Sequence, residues 1–136
     1  MRYLSAALLL VALACGSDKI AGPPTPASVA GRYSLKTVNG APLPFLIGQV
    51  GTSKSEVLAD VLVLSANGTF LQTSTIRNTT DGVATTSSSS EPGTFTLTGS
   101  TARFVFDIDG SFGTGTIADR TLTISGNGFV TIYNRE

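Results

Sequence analysis

The fold is decided by a strand-turn-strand unit that occurs twice in succession, as Gly93-Thr-Phe-Thr-Leu-Thr-Gly-Ser-Thr-Ala-Arg-Phe104 and Gly113-Thr-Gly-Thr-Ile-Ala-Asp-Arg-Thr-Leu-Thr-Ile124. The two segments align residue for residue, and each has alternating apolar and threonine residues around a turn. Alternation with a period of two is typical of strands that have one buried and one exposed face. The sequence therefore predicts two successive hairpins of one antiparallel meander.

Counting in steps of two assigns one face of these hairpins to a core. Thr96, Arg103, Thr121 and Thr123 are expected to face solvent. The side chains expected inside are those of Phe95, Leu97, Ala102, Phe104, Phe106, Ile117, Leu122 and Ile124.

Similar segments, separated by turn residues, continue through Gly31 to Glu136 at the spacing of a sandwich or a barrel. The predicted strands are Gly31 to Val38, Glu56 to Leu64, Thr69 to Arg77, Gly82 to Ser88, Gly93 to Thr98, Thr101 to Asp107, Gly113 to Ala118, Thr121 to Ser125 and Phe129 to Asn134. We expect one all-β domain, an up-and-down antiparallel meander of eight to nine strands. Closure into a barrel would remove its unpaired edges, and a β-sandwich is the alternative.

Two stretches are predicted to lie outside the strands. Ala41 to Gly48 contains two prolines, which argue against a central strand and favour a loop over one end of the core. The strand at Val57 to Leu64 has two apolar faces, so either this loop covers its second face or that face binds a partner. Glu91-Pro92 is predicted to be a turn.

The composition excludes several functional classes. The 136-residue chain has nine basic and nine acidic side chains, no histidine and a single cysteine. Because the basic residues lie singly among acidic ones, no cluster is expected to bind a run of phosphates, and nucleic acid is not an expected partner. Ser-His and Cys-His catalytic pairs and histidine-ligated metal sites are excluded. We therefore predict no catalytic residue, metal or cofactor, and no enzyme activity.

Residues 1–14 are predicted to form a signal peptide. Met1-Arg2 is positively charged, and Leu4 to Leu13 is an apolar run of about ten residues, whereas a spanning helix needs roughly 20. The run ends in Val11-Ala12-Leu13-Ala14-Cys15, which resembles the bacterial lipobox, and this resemblance implies a lipid attached to Cys15. The same residues fit the Ala-x-Ala pattern of ordinary cleavage at the same bond, without lipidation.

The single cysteine favours the lipid anchor over ordinary secretion. An exported chain with one cysteine has no partner for an internal disulfide, and lipidation accounts for the odd thiol. Residues 15–30 include Pro23, Pro24 and Pro26 and are predicted to be a flexible tether. We expect an exported protein attached to a membrane through Cys15. By analogy with bacterial sorting rules, Gly16 is compatible with the outer membrane of a diderm bacterium.

The start and end of the predicted domain resemble those of the small lipocalin-like domains found in bacterial lipoproteins. Lipocalins open their first strand with Gly-x-Trp and often carry an arginine at the last strand. Gly31-Arg32-Tyr33 and Arg135 correspond to these elements, with Tyr in place of Trp. The resemblance implies that Gly31, Tyr33 and Arg135 form the barrel floor and that the barrel binds a small apolar ligand. A cell-envelope protein-protein interaction module without such a ligand is the alternative.

Two acidic segments have competing interpretations. Asp107-x-Asp109-Gly110 begins like a calcium loop but lacks the further ligands, so a hairpin turn is expected. Asp60 interrupts an apolar strand, and an outward or rim-facing charge is preferred to a ligand-contacting carboxylate inside the barrel. The sequence does not identify ligand-binding residues.

Overall fold

A computed structural model describes residues 22–136 of the chain, and the predicted signal peptide and Cys15 lie outside this range. In this part of the chain there are one short helix and ten strands. Their bounds are α1 Pro26–Val29, β1 Gly31–Val38, β2 Ala41–Pro42, β3 Phe45–Val50, β4 Ser53–Leu64, β5 Thr69–Thr80, β6 Val83–Thr98, β7 Thr101–Phe106, β8 Phe112–Ala118, β9 Thr121–Gly126 and β10 Phe129–Arg135.

Eight of these strands form a closed antiparallel barrel in the order β1-β10-β9-β8-β7-β6-β5-β4. Closure is made by β1 and β4, which pair from Gly31 with Leu64 to Ser34 with Val61. β2 and β3 are additional strands, paired with the end of β1 and the start of β4. The predicted all-β up-and-down barrel is confirmed, and the sandwich alternative is wrong because the β1–β4 pairing joins the two edges of one sheet.

Most of the core lies at one end of the barrel, called here the floor, and Leu35 and Val38 extend it along β1. Fully buried side chains at this end include Tyr33, Leu64 and Leu122. The inward set predicted from the period-two pattern is confirmed: its members are buried or pack against the buried cluster. The opposite end, called here the mouth, is formed by the end of β1, the start of β4 and the turns that follow β7 and β9.

The predicted turn at Glu91-Pro92 is wrong, because β6 runs without a break from Val83 to Thr98. Its partner β5 is long enough to pair with it from Thr69 to Thr80. Pro92 is tolerated within β6 because it lies just beyond the last β6–β7 pair, Gly93 with Phe106. Its carbonyl accepts a hydrogen bond from the Asp107 backbone N–H at 3.1 Å, and pairing with β7 needs no N–H from it.

The predicted loop at Leu43 to Ile47 is also wrong in part. Both prolines precede Phe45, and from there the chain forms β3 and pairs edge to edge with the first part of β4. This segment therefore widens the sheet. Leu43 and Phe45 pack against the core cluster, as expected for a segment at the end of the core, whereas Leu46 and Ile47 remain exposed. Prolines exclude a central strand but permit an added edge strand that begins after them.

The folded unit begins before Gly31, earlier than the predicted end of the tether. Thr25 caps α1 in a capping box with Ser28, and proline occupies the first turn, where its missing N–H costs nothing. Val29 at the end of α1 is 6% exposed and belongs to the core. The short apolar helix closes the floor because its Val29 side chain is buried there.

Within residues 22–136, no helix has the length and apolar composition needed to span a bilayer.

Candidate functional site

The mouth half of the barrel contains a cavity of about 470 Å³. Its apolar wall includes Leu62, Phe104, Phe106, Ile124 and Phe129, and the exposed rim residues Phe112, Thr114, Ser125 and Asn127 also line it, so the cavity opens to solvent at the mouth. A second cavity of about 270 Å³ lies on the β1, β3 and β4 side, and its apolar wall is made by Leu35, Val38, Phe45, Val57, Ile76 and Phe129. The two cavities share the lining residues Gln72, Phe129, Thr131 and Tyr133, so they lie side by side in the barrel.

An aromatic cluster separates the larger cavity from the floor. The Phe70 ring makes edge-to-face contacts with Phe104 and Phe106, at centroid distances of 5.4 and 5.2 Å. This position of Phe70 depends on Gly93, since a Cβ atom there would lie 2.5 Å from the Phe70 ring. The residue opposite Phe70 in the β5–β6 register is Gly93 itself. Glycine at this point therefore allows the rings of β5 and β7 to fill the barrel interior.

Asp60 points into the barrel, and the predicted outward or rim-facing orientation is wrong. Its side chain is 6% exposed and lines the smaller cavity. A β-bulge between Val57 and Ala59 changes the phase of β4, so that Val57 and Asp60 face the same side. Among residues 22–136, Asp60 is the one buried residue with an acidic or basic side chain.

Three neutral donors surround the Asp60 carboxylate. Gln72 Nε2 donates to Oδ2 at 2.8 Å, the Ser74 hydroxyl donates to the same oxygen, and Tyr133 Oη donates to Oδ1 at 3.1 Å. Gln72 and Ser74 are neighbouring inward positions on β5, opposite Leu62 and Asp60 of β4. The network therefore follows from strand register, which brings inward residues of β4, β5 and β10 to one level of the barrel.

Burial controls the ionisation of this group. Desolvation raises the pKa of Asp60, and the hydrogen bonds from Ser74, Gln72 and Tyr133 offset part of that rise. Desolvation also raises the pKa of Tyr133, with the negative charge of Asp60 adding to the effect. None of the ion pairs formed within residues 22–136 includes Asp60. Three neutral groups donate hydrogen bonds to Asp60, and its charge has no partner in the described part of the chain.

The residues predicted for the floor lie together at the closed end. Tyr33 and Arg135 are register partners on β1 and β10. Tyr33 Oη donates to the Val29 carbonyl at 2.8 Å, and the Arg135 guanidinium donates to the carbonyls of Ser28, at 3.1 Å, and Ala30. Both side chains thus bind the backbone of α1 and the residue after it.

Gly31 allows this arrangement through close approach. A Cβ atom at Gly31 would lie 2.6 Å from Nε of Arg135, so the guanidinium packs directly on the glycine backbone. Burial raises the pKa of Tyr33, and the positive charge of Arg135 opposes that rise. These three residues close the floor and lie at the opposite end of the barrel from the cavities.

The rim of the mouth carries exposed apolar side chains. Ile108 is 76% exposed in the β7–β8 turn, and Phe112 at the start of β8 is stacked by the Arg103 guanidinium at 4.5 Å from the ring centroid. The expected hairpin turn at this segment is confirmed: Asp109 accepts a hydrogen bond from the Ser111 backbone N–H at 2.8 Å. Asp109 therefore stabilises the turn.

Sequence reasoning missed the polar residues of the site. Gln72, Ser74 and Tyr133 lie in ordinary alternating strands, and each is separated from Asp60 by at least 12 positions. A local signal existed on β5, where the inward positions 72 and 74 are polar between Phe70 and Ile76. A polar pair on an otherwise apolar face indicates a buried polar partner, since buried polar groups are hydrogen-bonded.

Comparison with protein-family models, curated proteins and solved structures found no match to this chain.

Proposed function

We propose that the barrel binds a small apolar ligand in the cavity of its mouth half. The observation that carries this proposal is the volume of about 470 Å³ with its wall of inward phenylalanine, leucine and isoleucine side chains. Pockets for small molecules begin near 300 Å³ and are mostly apolar, with a few placed polar groups. A barrel whose own side chains filled the interior would leave no such space.

A substitution that fills the cavity tests this function. Gly113 lines the larger cavity, and a Cβ atom there would meet only Ile124 Cγ2, at 4.0 Å. Gly113→Leu should therefore occupy ligand space without a backbone clash. Thr116→Leu is the matched control, since Thr116 lies on the exposed face of the same strand.

The probe is Nile red, a neutral apolar dye whose emission shifts to shorter wavelength in apolar surroundings. The full chain carries Cys15→Ser in every variant, so that no attached lipid competes for the cavity. We expect saturable binding that Gly113→Leu weakens about tenfold or more and Thr116→Leu leaves unchanged, since the added side chain removes several apolar contacts. Absence of binding, or equal binding by both variants, contradicts the proposal.

We further propose that the protein is exported and attached to a cell-envelope membrane by a lipid on Cys15. The proposal is supported by the lipobox-like residues before Cys15 and by the single cysteine of the chain. The described chain enters the barrel through α1 at the floor, so an anchor there would leave the mouth free. The intact mass of membrane-extracted protein is the test: an unmodified mass beginning at Cys15 contradicts lipidation.

A second candidate function is a protein-protein interaction in the cell envelope. It is favoured by the first part of β6, Val83 to Glu91, which pairs with β5 on one side while pairing with β7 begins only at Gly93. This exposed edge has no charged residue before Glu91, and such edges accept strands from partners.

Binding of envelope proteins to the immobilised full chain tests the interaction function. Ser88→Lys places a charge on the open edge, and Thr96→Lys places one on an exposed position of the same strand where β7 already pairs with it. Loss of a captured protein with Ser88→Lys alone is expected. Capture that is equal in both variants contradicts an edge interaction.

A further inference from the structure

We propose that Asp60 binds the head group of the ligand and that this ligand is a small amphiphile with a protonated amine. The inference rests on the ligand-binding function proposed above and adds the chemical class of the ligand. It begins from the position of Asp60, at the level where the packed floor ends and the smaller cavity begins.

The donors around Asp60 hold its carboxylate as an acceptor. Gln72, Ser74 and Tyr133 each donate one hydrogen bond, two to Oδ2 and one to Oδ1. A carboxylate has about four acceptor positions, so one on Oδ1 is left for a ligand. An N–H donor on the ligand would complete the set.

The charge of Asp60 has no counterion among residues 22–136. A buried charge is costly unless it is paired, and a cation that enters the cavity would supply the missing charge. Desolvation raises the pKa of Asp60 for the same reason, because burial disfavours the charged form of the carboxyl group. A carboxylate ligand would place two acids together, and a neutral ligand would leave the charge unpaired.

The walls beside Asp60 suit the remainder of such a ligand. Phe45 and Phe129 line the smaller cavity, with ring centroids 6.1 Å apart in an edge-to-face pair. Aromatic faces attract ammonium groups, and aliphatic residues complete the wall. Beyond Tyr133 and Thr131 lies the larger cavity, which gives space for an apolar body longer than the smaller cavity alone accepts.

The test compares three ligands that share one chain length: decylamine, decanol and decanoate. Their binding to the full chain with Cys15→Ser is measured by calorimetry at neutral pH, below the concentrations at which any of them forms micelles. We expect decylamine to bind about tenfold or more tightly than decanol, as for a hydrogen bond to a charged group. Decanoate should bind weakest.

The substitution Asp60→Asn should abolish the preference for decylamine over decanol, because the amide keeps the shape and loses the charge. Asp107→Asn removes an exposed carboxylate in the turn at the mouth, and it should keep the preference. A preference that persists in Asp60→Asn, or is lost in Asp107→Asn, overturns the proposal.

Binding of the three ligands to the chain that keeps Asp60 tests the amine head group even if Asp60→Asn does not fold. Equal binding of decylamine and decanol overturns the amine head group while leaving the apolar-ligand function intact. Failure of all three ligands, together with failure of Nile red, overturns both proposals. Tightest binding of decanoate also overturns the amine proposal and indicates a fatty-acid-like ligand.

Discussion

Replacing Gly93 by alanine should destabilise the barrel by about 2 kcal/mol. A Cβ atom at this position would lie 2.5 Å from the Phe70 ring and closer still to the Val105 carbonyl oxygen. Nonbonded carbon atoms prefer about 3.5–4.0 Å. The Phe70 ring is held between Phe104 and Phe106, and Val105 lies in β7, which pairs with β6. Neither neighbour can rotate away, so backbone must move.

The magnitude follows from two opposing terms. Overpacking of a core costs typically about 1–3 kcal/mol, and the upper part of that range applies because one of the contacts is backbone. Alanine in place of glycine restricts the unfolded chain and returns about 0.4–1 kcal/mol. At Gly126, also in a strand, an added Cβ meets no atom within 4 Å. Gly126→Ala should therefore leave stability unchanged or raise it slightly.

Urea unfolding followed by far-ultraviolet circular dichroism measures both variants. With a denaturant dependence of about 2 kcal/mol per molar for a domain of this size, the midpoint of Gly93→Ala should fall by about 1 M. The midpoint of Gly126→Ala should not fall. Equal midpoints for the two variants would refute the packing of Phe70 against Gly93.

Three further perturbations test the site and the floor. The pKa of Asp60 is higher in the folded chain than in the unfolded chain, so the folded state binds its proton more tightly. This stabilisation is fully present below the ordinary carboxyl pKa of about 4 and is lost as the pH rises through the raised pKa. The urea midpoint of Asp60→Asn should thus fall less between roughly pH 4 and pH 8 than that of the wild type, and parallel pH profiles contradict this. Tyr33→Phe leaves the Val29 carbonyl without its donor and should cost about 1–2 kcal/mol in urea unfolding; an unchanged midpoint would show that the bond contributes nothing. Leu122→Ala in the core should cost about 2–5 kcal/mol, whereas Val83→Ala, on an exposed tip, should stay within about 0.5 kcal/mol, and comparable losses would contradict the burial pattern.

The barrel was predictable because strand periodicity is local. The repeated hairpins have inward residues at every second position, and their partners follow directly in sequence, as Phe95 with Phe104 and Ile117 with Leu122. The same logic failed at Asp60. Counting in twos from Val57 places Asp60 outside, whereas counting back from Leu64 places it inside, and only the bulge in β4 decides between them.

The sequence by itself determined the fold class, the inward face of the hairpins and the absence of histidine chemistry, because these depend on composition and on neighbouring residues. The sequence does not determine where each strand ends. β6, for example, continues through Glu91 and Pro92 because it pairs there with β5.

Only the tertiary structure decided the candidate site. Pairing of β1 with β4 closes the barrel around its interior, and strand register brings Tyr133 to Asp60 across 73 positions of sequence. Neither contact has a local signal, since it depends on which distant strands meet and at which residue. The chemistry proposed for this barrel therefore rests on the one carboxylate whose orientation the alternating pattern alone could not determine.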